Sequence, residues 1–267
     1  MRLFCVIIKF KERSNYEKIV QLRGGGNSVA PAHSFEDLFK IFVSGQAVRL
    51  GFTLAEVLVT LGIIGVVSAM TVPTLMQNHQ RKTYVTQLHK VYNEFQQASL
   101  QYMTDRNALN LKEAGLTTNE AVDRWIKTYF KVVQDCSDNP SACFAIGDYK
   151  RMNGSSMPDI FNYDANLYVL ASGASIYAAP VSNGRLNVWF DINGKKGPNI
   201  IGRDVFATTL YNNGVMDDNN CENSIDTAPL TEEQRENSFQ NYCVAGKSGC
   251  WWGCLGKILN DNWEMNY

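Results

Sequence analysis

The hydrophobic positions of this chain fall into two regimes that meet near residue 76. From Phe52 to Val72 run twenty-one consecutive residues, of which only Glu56 is charged. At about 1.5 Å per residue, about 20 residues carry a helix across the roughly 30 Å hydrocarbon layer of a bilayer. Residues 52–76 are therefore predicted to span a membrane. Beyond them the apolar residues thin to a stripe, Tyr84, Leu88, Val91, Phe95, Ala98 and Tyr102, spaced alternately four and three apart. Such spacing lines one face of a helix, so residues 77–106 are predicted to continue the rod in water, with one side on a core. Pro73 sits near the join. It removes one backbone hydrogen bond and is expected to bend or loosen the helix there.

Thr117-x-x-Glu120 reads as a capping box that opens a second helix, running through Trp125 to Phe130. After a polar loop from Cys136 to Cys143 the pattern turns to strands. Leu167–Leu170 and Ser175–Ala178 flank Ser172-Gly173 and read as a hairpin. Leu186–Asp191 and Asp204–Tyr211 are further strands, stopped by Asn193-Gly194 and Asn212-Asn213-Gly214. Residues 215–248 look irregular and polar, with a short helix starting at Thr231-Glu232-Glu233. The segment Cys250-Trp251-Trp252-Gly253-Cys254 reads as a hydrophobic plug held by cysteines. Helix first and strands afterwards predict an α+β fold, with an antiparallel sheet over the watery half of the long helix and residues 107–267 forming the globular domain.

Charge adds a direction. Residues 1–51 hold eight Lys/Arg and four Asp/Glu, and the rest holds seventeen and twenty-two. A basic flank before a span favours keeping that end in the cytoplasm, which places the globular part outside. An acidic outer part argues against a nucleic-acid partner, since phosphate binding needs clustered Lys/Arg. Residues 1–51 do not read as a domain. They are expected to be a removable leader, either extended in its own right or lengthened by an upstream start.

Of seven cysteines, Cys5 precedes the span, and Cys136, Cys143, Cys221, Cys243, Cys250 and Cys254 follow it. An even set in an exported domain reads as up to three disulfides. A local Cys136–Cys143 loop is the best single choice, with the other four pairing near the C-terminus. A zinc site is the rival reading, weakened by the absence of C-x-x-C and by histidines remote from the cysteines. No catalytic constellation emerges, so no enzyme is expected. Gly246-Lys247-Ser248 lacks the upstream glycine of a nucleotide loop, where Asn241 stands instead. Asp217-Asp218 and Glu232-Glu233 lie in polar context and are expected to be solvated.

Glu56 is the odd residue. A carboxylate in hydrocarbon costs roughly 2.5 kcal/mol or more and is seldom left there without a partner. Either it sits in the headgroup layer and is hydrated, or it meets a cation supplied later. Cleavage of the Gly51–Phe52 bond would supply one, the α-amine of Phe52.

Gly51-Phe52-Thr53-Leu54-Ala55-Glu56-Val57-Leu58, followed by Leu61-Gly62-Ile63-Ile64-Gly65-Val66-Val67, resembles the type IV prepilin signature shared by pilins, type II secretion pseudopilins and competence pilins. The resemblance implies that Gly51 ends the leader read by a prepilin peptidase and that Phe52 becomes the N-methylated terminus. It also implies that Glu56 sets the register between subunits of a filament. The implied partners are the peptidase, other pilins or pseudopilins, an inner-membrane assembly platform and membrane lipid. The implied location is the bacterial inner membrane, single-pass, with the globular domain periplasmic. A large, cysteine-stapled domain points to a minor subunit of a pilus or secretion filament. The alternative is an anchored binding or enzymatic domain that borrows a similar span.

No cofactor is required by this reading, although calcium has a weak candidate. Asp191-Ile192-Asn193-Gly194 begins like a calcium loop, with oxygen donors at Asp191 and Asn193. Lys195 at the fifth position and Gly202 at the twelfth depart from an EF-hand. Some pseudopilins bind calcium in a loop beside their sheet. The plainer reading is a turn in which Asp191 and Asp204 cap backbone amides.

Overall fold

The computed structural model describes residues 52–158, 161, 164–219, 221, 227–247 and 249–267. The expected leader, with Cys5 and Gly51, lies outside them. The chain divides into two units, Met1–Ile64 and Gly65–Tyr267. One helix, α1, Leu54–Asp105, is 52 residues long and runs through that boundary.

Helix α1 has the two regimes its sequence predicts. None of its apolar stretch is buried, and among the described residues it is the one helix long and apolar enough to cross a membrane. Pro73 stands inside the helix, which continues through it. Proline has no N–H to offer the Ala69 carbonyl one turn back, so one rung of the ladder is lost without ending the helix. In the second half Val85, Leu88, Val91, Phe95, Ala98, Ser99 and Tyr102 are buried. Tyr84, expected in that stripe, is only half-buried, and Val85 takes its place on the core face. A 3.6-residue period drifts past a strict four-three pattern, which moves the buried line by one residue at the end of the stripe.

The second unit is built on that face. Helix α2, Asn119–Tyr129, begins at Thr118, whose side chain accepts the Ala121 N–H. The expected cap at Thr117 is therefore one residue early. Burial of Ala121, Val122, Trp125 and Ile126 fixes the register, and the neighbouring threonine then falls at the cap. Phe95 of α1 meets Trp125, Phe130 and Phe190 with ring centroids 5.7, 4.6 and 5.1 Å away. These rings tie α1, α2 and the sheet together.

Six strands follow in a meander: β1 Val132–Asp135, β2 Asn166–Leu170, β3 Ser175–Val181, β4 Arg185–Asp191, β5 Val205–Leu210 and β6 Met216–Asp217. Each pairs antiparallel with the next, in the order β1-β2-β3-β4-β5-β6. Ile176, Phe190 and Phe206 lie opposite one another across β3, β4 and β5, as do Tyr177, Trp189 and Ala207 on the alternate positions. Both sets are buried. Trp189 lies 6.0 Å from Trp251 and from Trp252, so the C-terminal segment covers the second face. Burial on both faces is why the strands read as nearly continuous apolar runs.

After β6 the chain is less irregular than its polarity suggests. Helix α3, Glu232–Ser238, starts on a capping box between Thr231 and Gln234 and passes into a π-helical segment, Phe239–Val244. A last helix, α4, Cys254–Asn260, follows Gly253. At Gly253 φ is +104°, and a Cβ would lie 2.3 Å from the Ser238 carbonyl oxygen, so only glycine suits this start. The disulfides are Cys136–Cys143, Cys221–Cys250 and Cys243–Cys254. The third joins the π segment to α4. The six cysteines beyond the span are therefore all in disulfides, which leaves none of those six as a thiolate ligand for zinc.

Candidate functional site

The start of α1 carries the acid singled out in the sequence. Thr53 lies just before the first helical residue, and its N–H and hydroxyl both donate to Glu56 Oε2 at 3.0 Å. In return the Glu56 N–H donates to Thr53 Oγ1 at 3.2 Å. That reciprocal pair is a capping box, T-L-A-E, which the sequence also spells out. The carboxylate thus has a local role besides any intermolecular one. It satisfies an orphan N–H and places negative charge at the positive end of the helix. Around it Phe52, Leu54, Leu58, Val59 and Leu61 are all exposed.

The second region is the loop from the end of β4 to the start of β5. Asp191 is fully buried, and its Oδ2 accepts the Tyr149 hydroxyl at 2.7 Å. Its other oxygen, Oδ1, is buried beside the Asn193 and Gly194 amides, without a hydrogen bond of full geometry. Asn193 Oδ1 and Asn199 Oδ1 are also buried without a hydrogen bond of full geometry. Asp204, also fully buried, accepts the N–H groups of Asn199 and Ile200 at 2.8 Å each. The Ile192 N–H donates to the Asp204 carbonyl at 2.9 Å, which draws the two ends of the loop together.

The electrostatics of this loop are those of two buried acids held by hydrogen-bond donors. Burial pushes the Asp191 carboxyl up to about 8; the Tyr149 hydroxyl and the Asn193 and Gly194 amides pull it back, and the nearby Asp204 charge pushes it further. Asp204 is raised by burial, against the pull of the Ile200 and Asn199 amides. Unsatisfied buried oxygens of this kind cost about 1–3 kcal/mol each. Carboxylate and amide oxygens are the donor type that suits a hard cation such as calcium. Asp191, Asn193, Asn199 and Asp204 are the residues that would hold it. Among the described residues no group of three or more His, Cys, Asp or Glu is placed to bind a metal. Asn199 was not a candidate from sequence, and Asp204 was expected only to cap amides, which it does.

A third cluster corrects an expectation. Asp217 and Asp218 are fully buried rather than solvated. Arg235 grips Asp217 with two hydrogen bonds, Nε to Oδ1 at 3.0 Å and Nη2 to Oδ2 at 2.7 Å. Asp218 accepts the N–H groups of Gly253 at 2.7 Å and Gly256 at 2.6 Å, at the start of α4. Burial pushes Asp218 up to about 7, against the pull of the Gly256, Gly253 and Asn219 amides. These acids fasten the C-terminal segment to the sheet. Glu232 and Glu233 are exposed, in the first turn of α3.

Comparison with protein-family models, with curated proteins and with solved structures finds no match to this chain.

Proposed function

We propose that this chain is a structural subunit, a minor pilin or pseudopilin, of a type IV pilus or type II secretion-type filament. The observation that carries the reading is the first half of α1. From Phe52 to Met76 its large apolar side chains are exposed, and a single acid sits in its first turn. So much exposed apolar surface needs lipid before assembly and neighbouring helices afterwards. In this account the chain is inserted with its N-terminus in the cytoplasm of a bacterium and its globular part in the periplasm. A prepilin peptidase cuts after Gly51, and the new Phe52 amine is methylated. The Phe52 amine of one subunit then meets the Glu56 carboxylate of a neighbour and sets the axial register, while burial of helix on helix supplies cohesion.

The test is Gly51→Leu, a side chain at the position where the resemblance implies glycine. It should leave an uncut precursor that runs slower on a denaturing gel and stays out of filaments. Normal trimming and assembly of that variant would count against the proposal.

The same reading includes a structural calcium ion held by Asp191, Asn193, Asn199 and Asp204. The buried oxygens of Asp191, Asn193 and Asn199, none with a hydrogen bond of full geometry, support it. Such an ion would neutralise two buried acids and stiffen the loop between β4 and β5.

A further inference from the structure

We propose that the water-side end of the apolar run carries a binding site for the phosphate of an anionic phospholipid headgroup, formed by Arg81, Lys82 and Arg203. The proposal rests on the membrane-spanning reading of α1 and goes beyond it by naming a lipid class and a site. Between Glu56 and Glu94 the helix has no acid, and it carries Arg81, Lys82 and Lys90. The chain beyond residue 51 is otherwise acidic, with twenty-two Asp/Glu against seventeen Lys/Arg. Cations here stand on the outer flank of the span, where Lys/Arg are the less frequent choice.

Geometry supplies the receptacle. A groove of about 520 Å³ lies between one side of α1, with Asn78, Arg81 and Lys82, and the C-terminal Trp263–Asn266 strip. A second hollow of about 240 Å³ shares Arg81 and Met265 with it and adds Arg203 and Gln80. None of the ion pairs among the described residues uses Arg81, Lys82 or Arg203. Asp204, next to Arg203, has its carboxylate turned to the Asn199 and Ile200 amides. The one acid on the rim, Glu264, is exposed.

Position supplies the ligand. Arg81 comes five residues after Met76, about 7.5 Å along a helix axis, which is the depth of a headgroup layer beyond the hydrocarbon. Trp263 on the groove wall stacks on His89 at 4.0 Å and has the amphipathic character that suits this layer. Arginine binds phosphate through paired N–H donors, and the two arginines meet at one hollow.

The test uses the full chain in detergent, given equal amounts of phosphatidylglycerol and phosphatidylcholine, with bound lipid read by native mass spectrometry. Wild type should retain phosphatidylglycerol preferentially, and inorganic phosphate should not displace it. Arg81→Gln/Arg203→Gln should retain about twenty-fivefold less, at about fivefold per charge. Lys195→Gln/Lys196→Gln should match wild type. Equal retention of the two lipids, or undiminished retention by the arginine variant, overturns the proposal. Displacement by phosphate also overturns it, in favour of a site for free anions. Cross-linked pairs joined through Lys82 in lipid-free detergent would do the same, in favour of a second copy of the chain. Should the arginine variant not fold, brominated phosphatidylglycerol must quench wild-type tryptophan more than brominated phosphatidylcholine does, with the difference lost in Trp263→Phe; equal quenching overturns the site. Recovery of wild type without any detergent defeats the membrane reading itself, whereas a membrane-bound chain indifferent to headgroup defeats only this proposal.

Discussion

Thr53 and Glu56 hold each other at the start of α1, each side chain accepting the other's backbone N–H, at 3.0 and 3.2 Å. The pairing separates two roles that a single acid would otherwise confound. Glutamine can serve in a capping box but carries no charge. Glu56→Gln should therefore keep the helix start and the membrane location yet assemble poorly, because the charge that a neighbouring amine would meet is gone. Thr53→Ala should weaken the cap, by about 1 kcal/mol on the scale of exposed helices, and leave that charge in place. Filament yield in the sheared fraction, compared with membrane-bound subunit, is the measurement. Normal filaments from Glu56→Gln would refute the charge-register role and leave capping as the residue's function.

The loop between β4 and β5 predicts a stability that depends on both pH and calcium. Asp191, pushed up to about 8 by burial, holds its proton more tightly folded than unfolded, where an aspartate titrates near about 3.9. Its contribution is fully present below about pH 3.9 and is lost as the pH climbs towards about 8. Asp218, raised to about 7, acts in the same direction over the lower part of that window. In chelator the unfolding temperature should fall across this range, and Asp191→Asn should flatten the upper part. Calcium at a hundred times its dissociation constant should restore about 2.7 kcal/mol at pH 8 in wild type and far less in Asp191→Asn. A thermal midpoint at pH 8 that ignores calcium would sink the cation reading.

Arg235 and Asp217 predict a non-additive pair. The Asp217 side chain is 1 % exposed and that of Arg235 15 %. Removing one partner strands a buried charge, which typically costs about 3–5 kcal/mol. Arg235→Met alone should therefore destabilise the second unit strongly, and Arg235→Met/Asp217→Asn should recover part of the loss. Denaturant midpoints of the single and double variants give the coupling. Simple addition of the two costs would show that the contact carries little.

What the sequence revealed and what it concealed divide by the range of the interactions. The apolar run, the stripe from Leu88 to Tyr102 and the strands around Trp189 and Phe206 are repeating local patterns, and they were legible. Asp217 and Asp218 were misread because the groups that satisfy them, Arg235, Gly253 and Gly256, lie eighteen, thirty-five and thirty-eight residues away. The edge strands β1 and β6 have four and two residues, too few for a period to register. Helix α4 begins without a side-chain cap, at a left-handed glycine, so no start signal marks it. Of the cation set, Asp191 and Asn193 are neighbours in sequence. Asn199 enters only because the loop folds back onto Asp204. The Thr53–Glu56 box was in plain view, but a single acid in an apolar run draws attention to charge before capping.

The central claim, that the Gly51–Phe52 bond is cut and the new chain end joins a filament, is tested most directly by mass spectrometry of the protein purified from membranes of a host with a prepilin peptidase. The account predicts a chain that begins at Phe52 and carries one methyl group on its amine. A chain that still holds residues before Phe52, or an unmodified Phe52 in assembled filaments, would contradict it.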